Sequence, residues 1–252
     1  MDGPAHTFRV ALARVPWPLP SRPRNRDDLQ LANTLRSFHV LRAAPGRIVV
    51  RRGGLTIVFR RVEPHRAAVL FRRGELDEAP VALGDIRAAR ADGTVRSAVR
   101  VRRLRAVDAL VPTRRLAASV RRTMDETADR VDYAVLVPED PTAASPSVSA
   151  RAFRAARRGI PALPHKWVRI AVADDPTLRY GAGLLVASWR DLGLRVRIGD
   201  KNADARFVRV ATLPKGAIPI ARAVDARLVS PRVRGWREDA RGVVDYSRVK
   251  VR

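Results

Sequence analysis

The sequence predicts an α/β fold, and two segments predict it most directly. Residues 168–198 read as a strand, a helix and a second strand, and residues 47–61 read as a hairpin around Gly53-Gly54. In the first segment Val168, Ile170 and Val172 alternate with Arg169 and Ala171, the period-2 pattern of a strand. Asp175 stands where an N-cap belongs and Pro176 takes the first helical position. Leu178, Ala182, Leu185, Trp189 and Leu192 then follow on one helical face. Gly193 ends that helix, and Leu194, Val196 and Ile198 open another alternating strand. A helix of this length between two strands is the parallel crossover connection.

The remaining elements follow in chain order. Phe8, Val10 and Leu12 alternate with Arg9, Ala11 and Ala13 as an opening strand. Residues 15–24 hold four prolines around Trp17 and form a loop. Residues 27–38 read as a helix with Leu31, Leu35 and Phe38 on one face, and 64–73 as a short helix stopped by Gly74. Residues 75–81 (ELDEAPV) lead as a strand into a turn, with the acids on a solvated edge, and 84–91 make another short helix. A strand is expected at 98–104. Thr113 is placed to cap a helix reaching Met124, with further helix over 126–136. Residues 138–149 (PEDPTAASPSVS) have a linker composition, and Ser149 is placed to cap a short Arg/Ala helix ended by Gly159. Residues 199–216 are polar and weakly patterned, 218–229 offer one or two short strands, and 233–244 a loop or short helix.

Composition narrows the function classes. At 252 residues, 46% of them hydrophobic, the chain can bury a sizeable core as one large or two smaller domains. Fifty basic residues stand against 25 acidic ones for a net charge of +25, and only Lys166, Lys201, Lys215 and Lys250 are lysines. With heavy Ala, Val and Pro use, that skew fits a GC-rich coding sequence as well as a polyanion partner. There is no cysteine, hence no disulfide framework, thiolate metal site or lipid-anchor thiol in this sequence. No apolar run reaches the length of a membrane span, and the N-terminus is not a secretory signal as written. The expectation is either a cytoplasmic chain or an export segment outside this sequence.

The familiar enzyme signatures do not occur. There is no G-x-S-x-G elbow, Walker loop or H-E-x-x-H, and Gly181-Ala182-Gly183 is an incomplete glycine motif inside a helix. His6, His39, His65 and His165 are scattered at no ligand spacing, so no metal is expected. Glu75, Asp77 and Glu78, then Asp174 and Asp175, are the acidic groups worth naming. No general acid–base partner accompanies either set in the sequence. No catalytic residue and no cofactor are expected. Seven Arg-Arg doublets, from Arg51-Arg52 to Arg157-Arg158, are spread along the chain rather than gathered. At 5%, the aromatics do not interleave with them as a base-stacking platform would. A basic nucleic-acid- or polyanion-binding protein is the alternative these residues leave open.

Five segments together resemble the family 5 extracellular solute-binding proteins of peptide-type ABC transporters, in particular actinobacterial members. HTFRVALARVPWPLPS is similar to that family's first strand and loop, and FRRGELDEAPV to the strand ahead of its hinge. RRLAASVRRTMDETADRVDYAVLVPED resembles its helix pair, and VRIAVADDPTLRYGAGLLVASWRDLGLRVRI the crossover unit of its C-terminal lobe. IPIARAVDARLVSPRVRGWREDARGVVDY resembles the segment that returns to the first lobe. The resemblance implies a two-lobed, type II periplasmic-binding-protein-like fold with mixed sheets and a cleft between lobes. It implies lobe I at 1–104 plus 217–252 and lobe II at 105–216, with crossing strands near 98–104 and 216–223. It implies a monomer that binds a peptide or other small solute and hands it to an ABC permease, with an extracytoplasmic, membrane-associated location.

The chain is shorter than the family's usual length and lacks its S-D-G-T-x-[LF]-T-A-x-D-V motif. It also lacks the aspartate region that holds a peptide's amino end, so a shortened or degenerate member is expected. Trp17, Asp77 and Pro80 are the residues expected to line the cleft, with non-specific polyanion contact as a side effect of the charge.

Overall fold

The computed structural model describes residues 6–82, 85–114, 116–128, 167–173, 175–191, 193–199 and 201–252. The chain divides into two compact units, Met1–Arg103 with Val224–Arg252, and Leu104–Ala223. In chain order the described elements are β1 (His6–Leu12), α1 (Arg26–Leu35), β2 (His39–Ala44), β3 (Arg47–Arg52) and β4 (Leu55–Arg61). Next come α2 (Pro64–Arg72), β5 (Glu78–Pro80), α3 (Ile86–Ala91), β6 (Val99–Pro112) and α4 (Ala118–Ala128). Then follow β7 (Val168–Val172), α5 (Pro176–Asp191), β8 (Val196–Ile198), β9 (Ala205–Val210), β10 (Ile218–Val229), β11 (Val233–Arg234) and β12 (Lys250–Val251).

In the first unit the strand order is β2-β3-β4-β1-β5-β10. β1 runs parallel to β4 and β5, while β2, β3 and β4 are antiparallel neighbours and β10 is antiparallel to β5. The alternation that predicts these strands also decides which face is buried. Phe8, Val10 and Leu12 of β1, Ile48 and Val50 of β3, and Ile57 and Phe59 of β4 share one core with Leu31 and Phe38. The last residues of the chain complete it. Val244, Tyr246, Val249 and Val251 are buried in the same cluster, with Tyr246 packed 5.6 Å from Phe8 and 5.7 Å from Phe59, ring centre to ring centre.

In the second unit the order is β10-β6-β9-β7-β8. The crossover is realised residue for residue: β7 and β8 pair in parallel, Val168 opposite Val196 and Ile170 opposite Ile198. The Asp175 carboxylate accepts the Leu178 N–H at 3.2 Å and so caps α5. Leu178, Ala182, Leu185 and Trp189 are buried along one face of the helix. Gly193 takes φ +92°, the left-handed turn that a side chain resists and glycine adopts freely.

Distant pairing corrects several expectations. The strand expected at 98–104 runs on to Pro112, because β9 supplies an antiparallel partner from Val107↔Val210 to Pro112↔Ala205. Residues 199–216 accordingly contain β9, and residues 218–229 form one continuous strand. Thr113 does not cap a helix, since its N–H donates to the Asp204 carbonyl and α4 begins at Ala118. Of the ELDE acids only Glu75 is exposed: β5 lies between β1 and β10, and Asp77 and Glu78 are buried rather than on a solvated edge. Residues 233–244 hold β11 and a Glu238–Val244 bridge rather than a helix. The linker at 138–149, the Ser149 cap and nearly all of the 126–136 helix lie outside the described residues. No helix among the described residues is long and apolar enough to cross a membrane.

Candidate functional site

Trp17 sits in a loop that the start of α1 pins at both ends. The Arg14 N–H donates to the Asp27 carboxylate at 3.0 Å, and the Arg24 N–H donates to the Asp28 carboxylate at 3.0 Å. Asn25 caps the helix by accepting the Asp28 N–H at 2.9 Å. Two adjacent acids in the first turn therefore satisfy helix and loop together. Leu19 packs against the core beneath, whereas Trp17 is 38% exposed. An indole held at the tip of a braced loop presents a large apolar face at little entropic cost.

Asp77 and Pro80 lie beside each other at β5. The Asp77 carboxylate accepts the Arg9 N–H at 2.8 Å through one oxygen and Arg232 Nε at 2.7 Å through the other. Pro80, opposite Arg227 of β10, is partly exposed. Asp77 ties β1 to the segment after β10, and Pro80 marks the end of that short strand. Among the described residues no hydrogen bond or ring contact joins Trp17 to either of them.

Between the N-terminus of α1 and the end of β10 lies a buried ionic network. Glu78 accepts hydrogen bonds at one oxygen from Trp236 Nε1, at 2.8 Å, and from the Tyr246 hydroxyl, at 3.0 Å. Arg227 stands 3.5 Å from the other Glu78 oxygen and 3.1 Å from Asp225. Arg26 reaches Asp225 at 3.4 Å and Glu238 at 3.7 Å, and its Nε donates to the Gly242 carbonyl at 2.6 Å. Arg102 donates to the Glu238 carbonyl.

Burial pushes the Glu78 carboxyl up to about 7, against the pull of Arg26 and the two hydrogen bonds. Glu238 goes up to about 10, first through burial and then through the Asp225 carboxylate beside it. Tyr246 is raised by burial and by Glu78. Burial opposes the Arg26 charge, yet the surrounding Asp225, Asp27, Glu78 and Glu238 keep it above its ordinary value. The network holds the chain's last segment to the first unit. It brings no nucleophile beside a base, and no group of three or more potential metal ligands occurs among the described residues.

Sequence reasoning missed the roles of Asp27, Asp28, Trp236, Glu238 and Tyr246. An acid pair after Asn25 is a capping signal in plain sight; the others carry none, because their partners lie far along the chain.

No family model matches the chain, and no curated protein matches it in sequence. Its structure is similar to those of peptide-type ABC substrate-binding proteins. The OppA protein of Haemophilus influenzae, solved in complex with RPPGFSPFR, matches at a TM-score of 0.63 and 12% identity over 85% of this chain and 64% of that one. The murein tripeptide binding protein MppA of Escherichia coli matches at 0.62 and 11%, over 85% and 64%. NikA of Staphylococcus aureus, solved with Ni(L-His)2, matches at 0.56 and 12%, over 86% and 68%. The fold of this chain is thus the α/β, type II periplasmic-binding-protein fold, and the chain spans about 64% of the length of the oligopeptide-binding structures it matches.

Proposed function

We propose that this chain is a non-enzymatic solute-binding protein that takes up a peptide-like solute and delivers it, as a monomer outside the cytoplasm, to an ABC importer. The observation that carries the reading is the fold likeness over 85% of the chain to a protein solved with a nonapeptide-length ligand, RPPGFSPFR. Physical chemistry fits this reading. An extended peptide satisfies its backbone groups against strand edges, so a binder can hold it without reading every side chain. Trp17, on its braced loop, and the partly exposed Pro80 offer the apolar contacts, while Asp77, buried with both carboxylate oxygens engaged, holds β1 in place. The NikA likeness makes a small chelate the rival solute class.

A thermal-shift screen against a mixed short-peptide pool, at low and moderate salt, tests the reading. A ligand bound only by the native state at a hundred times its Kd stabilises by about 3 kcal/mol. For a chain of this size that is a rise of about 5–10 °C in Tm. The expected rise survives moderate salt and shrinks in Trp17→Ala. A cooperative transition that no peptide moves, or a shift that salt abolishes, overturns the proposal.

A further inference from the structure

The outer face of β2, β3 and β4 gathers arginines that the sequence scatters. Residues facing the core from β3 and β4 are Ile48, Val50, Ile57 and Phe59. By strand alternation the opposite face carries Arg47, Val49 and Arg51 of β3 and Thr56, Val58 and Arg60 of β4. Register adds the neighbours from β2: His39 lies opposite Arg51, Arg42 opposite Val49, and Ala44 opposite Arg47. Arg47 lies directly opposite Arg60. Two like charges in facing positions on a sheet are destabilising, and nothing on this face offsets them, since it carries no acid. Arg42 and Arg47 are exposed, Arg60 is half-buried, and none of the three has an ion-pair partner among the described residues. Arg51 spends one N–H on Thr56 at 3.2 Å and is otherwise exposed.

We propose that this face is a docking surface for anionic phospholipid headgroups, through which the first unit lies against an acidic bilayer. Three features favour a bilayer over a nucleic acid. The arginines spread in two dimensions over a sheet face, rather than along a groove that tracks one backbone. No phenylalanine, tyrosine or tryptophan stands among them as a platform on which bases could stack. Leu41, at the bulge between Val40 and Arg42 in the free edge strand of the same sheet, is 52% exposed, an apolar contact of the kind that enters a headgroup region beside basic residues. Arginine holds phosphates by paired hydrogen bonds as well as by charge. The inference stands apart from the peptide reading, since it uses none of the same residues.

Cosedimentation of the full chain with vesicles tests it, comparing phosphatidylcholine alone with equal parts phosphatidylcholine and phosphatidylglycerol. The chain is expected to bind the mixed vesicles and not the neutral ones, more weakly as salt rises. Neutralising the face in Arg42→Gln/Arg47→Gln/Arg60→Gln is expected to weaken partitioning roughly a hundredfold. The variant Arg66→Gln/Arg87→Gln/Arg96→Gln removes the same charge from exposed positions elsewhere on the first unit and is expected to leave binding within a few-fold. Equal losses in the two variants, or no binding to the acidic vesicles, overturn the proposal. So does a duplex oligonucleotide that displaces the vesicles and loses the same affinity in the first variant, which would make the face a nucleic-acid surface.

Discussion

Glu78 and Glu238 are carboxyl groups held where a charge is poorly solvated, and the cost of that placement is readable as a pH dependence. Their folded-state values, about 7 and about 10, lie above the ordinary 4.5 of an unfolded glutamate. A group raised on folding contributes its stability below the unfolded value and loses it as pH rises through the folded one. Asp239 and Asp245 are shifted the other way, Asp239 by the Val243 and Arg241 N–H donors and Asp245 first by the Ser247 hydroxyl. Their contribution is present above the ordinary value of 3.8 and falls away in acid. Stability should therefore peak near pH 5 and decline toward pH 8, with Glu78 alone accounting for about 3 kcal/mol of the decline. Urea midpoints across that range measure it, and Glu78→Gln should make the fall below pH 7 shallower while leaving the Glu238 share, which runs from 4.5 to about 10. A midpoint that climbs from pH 5 to pH 8 would contradict the assignment. None of this was legible in ELDE read alone, because Arg227 and Arg232, which neutralise those acids, lie some 150 positions downstream. The spacing of Leu31, Leu35 and Phe38 sufficed to place the helix α1, but not the Asn25 cap or the loop that Asp27 and Asp28 brace.

Elements whose signals are local came through whole. The crossover carries its own cap, its own apolar stripe and its own stop, and β7, α5 and β8 form accordingly. Trp189 ends the buried stripe of α5 with no exposed surface. Trp189→Ala should cost about 3–5 kcal/mol through lost transfer energy and an unfilled cavity, seen as a fall in the denaturant midpoint with an unchanged slope. A loss below 1 kcal/mol would mean that the helix face collapses onto the gap. Elements that exist only through a partner were read short. β6 stops at Leu104 on its own alternation and reaches Pro112 because β9 lies beside it. β9 was hidden because Arg206, Val208 and Val210 leave neither face purely polar.

At the scale of the whole chain, the divisions between the two units fall at Arg103/Leu104 in β6 and at Ala223/Val224 in β10. The first unit is assembled from both ends of the sequence, and its core takes Val244, Tyr246, Val249 and Val251 from the last stretch. Each such fully buried side chain is worth about 1.5–3 kcal/mol, and four of them match the entire stability of an ordinary domain. A chain ending at Pro231 should therefore lose the first unit's cooperative unfolding in calorimetry. A transition of undiminished enthalpy in that truncated chain would show that the terminal segment is ornamental.

That closing of the first unit by its final residues sets a timetable for synthesis. Residues up to Arg103 are synthesised long before Val244, Tyr246, Val249 and Val251, which complete their core. At an elongation rate of about 5–20 residues per second, they wait roughly 7–30 s for the strands and side chains that complete them. Through that interval the opening strands, with Phe8, Phe59 and the arginines of β3 and β4, are a nascent segment without a finished core. The contiguous second unit has all of its own residues in hand first. The order of birth along this polypeptide is thus the reverse of its order of completion.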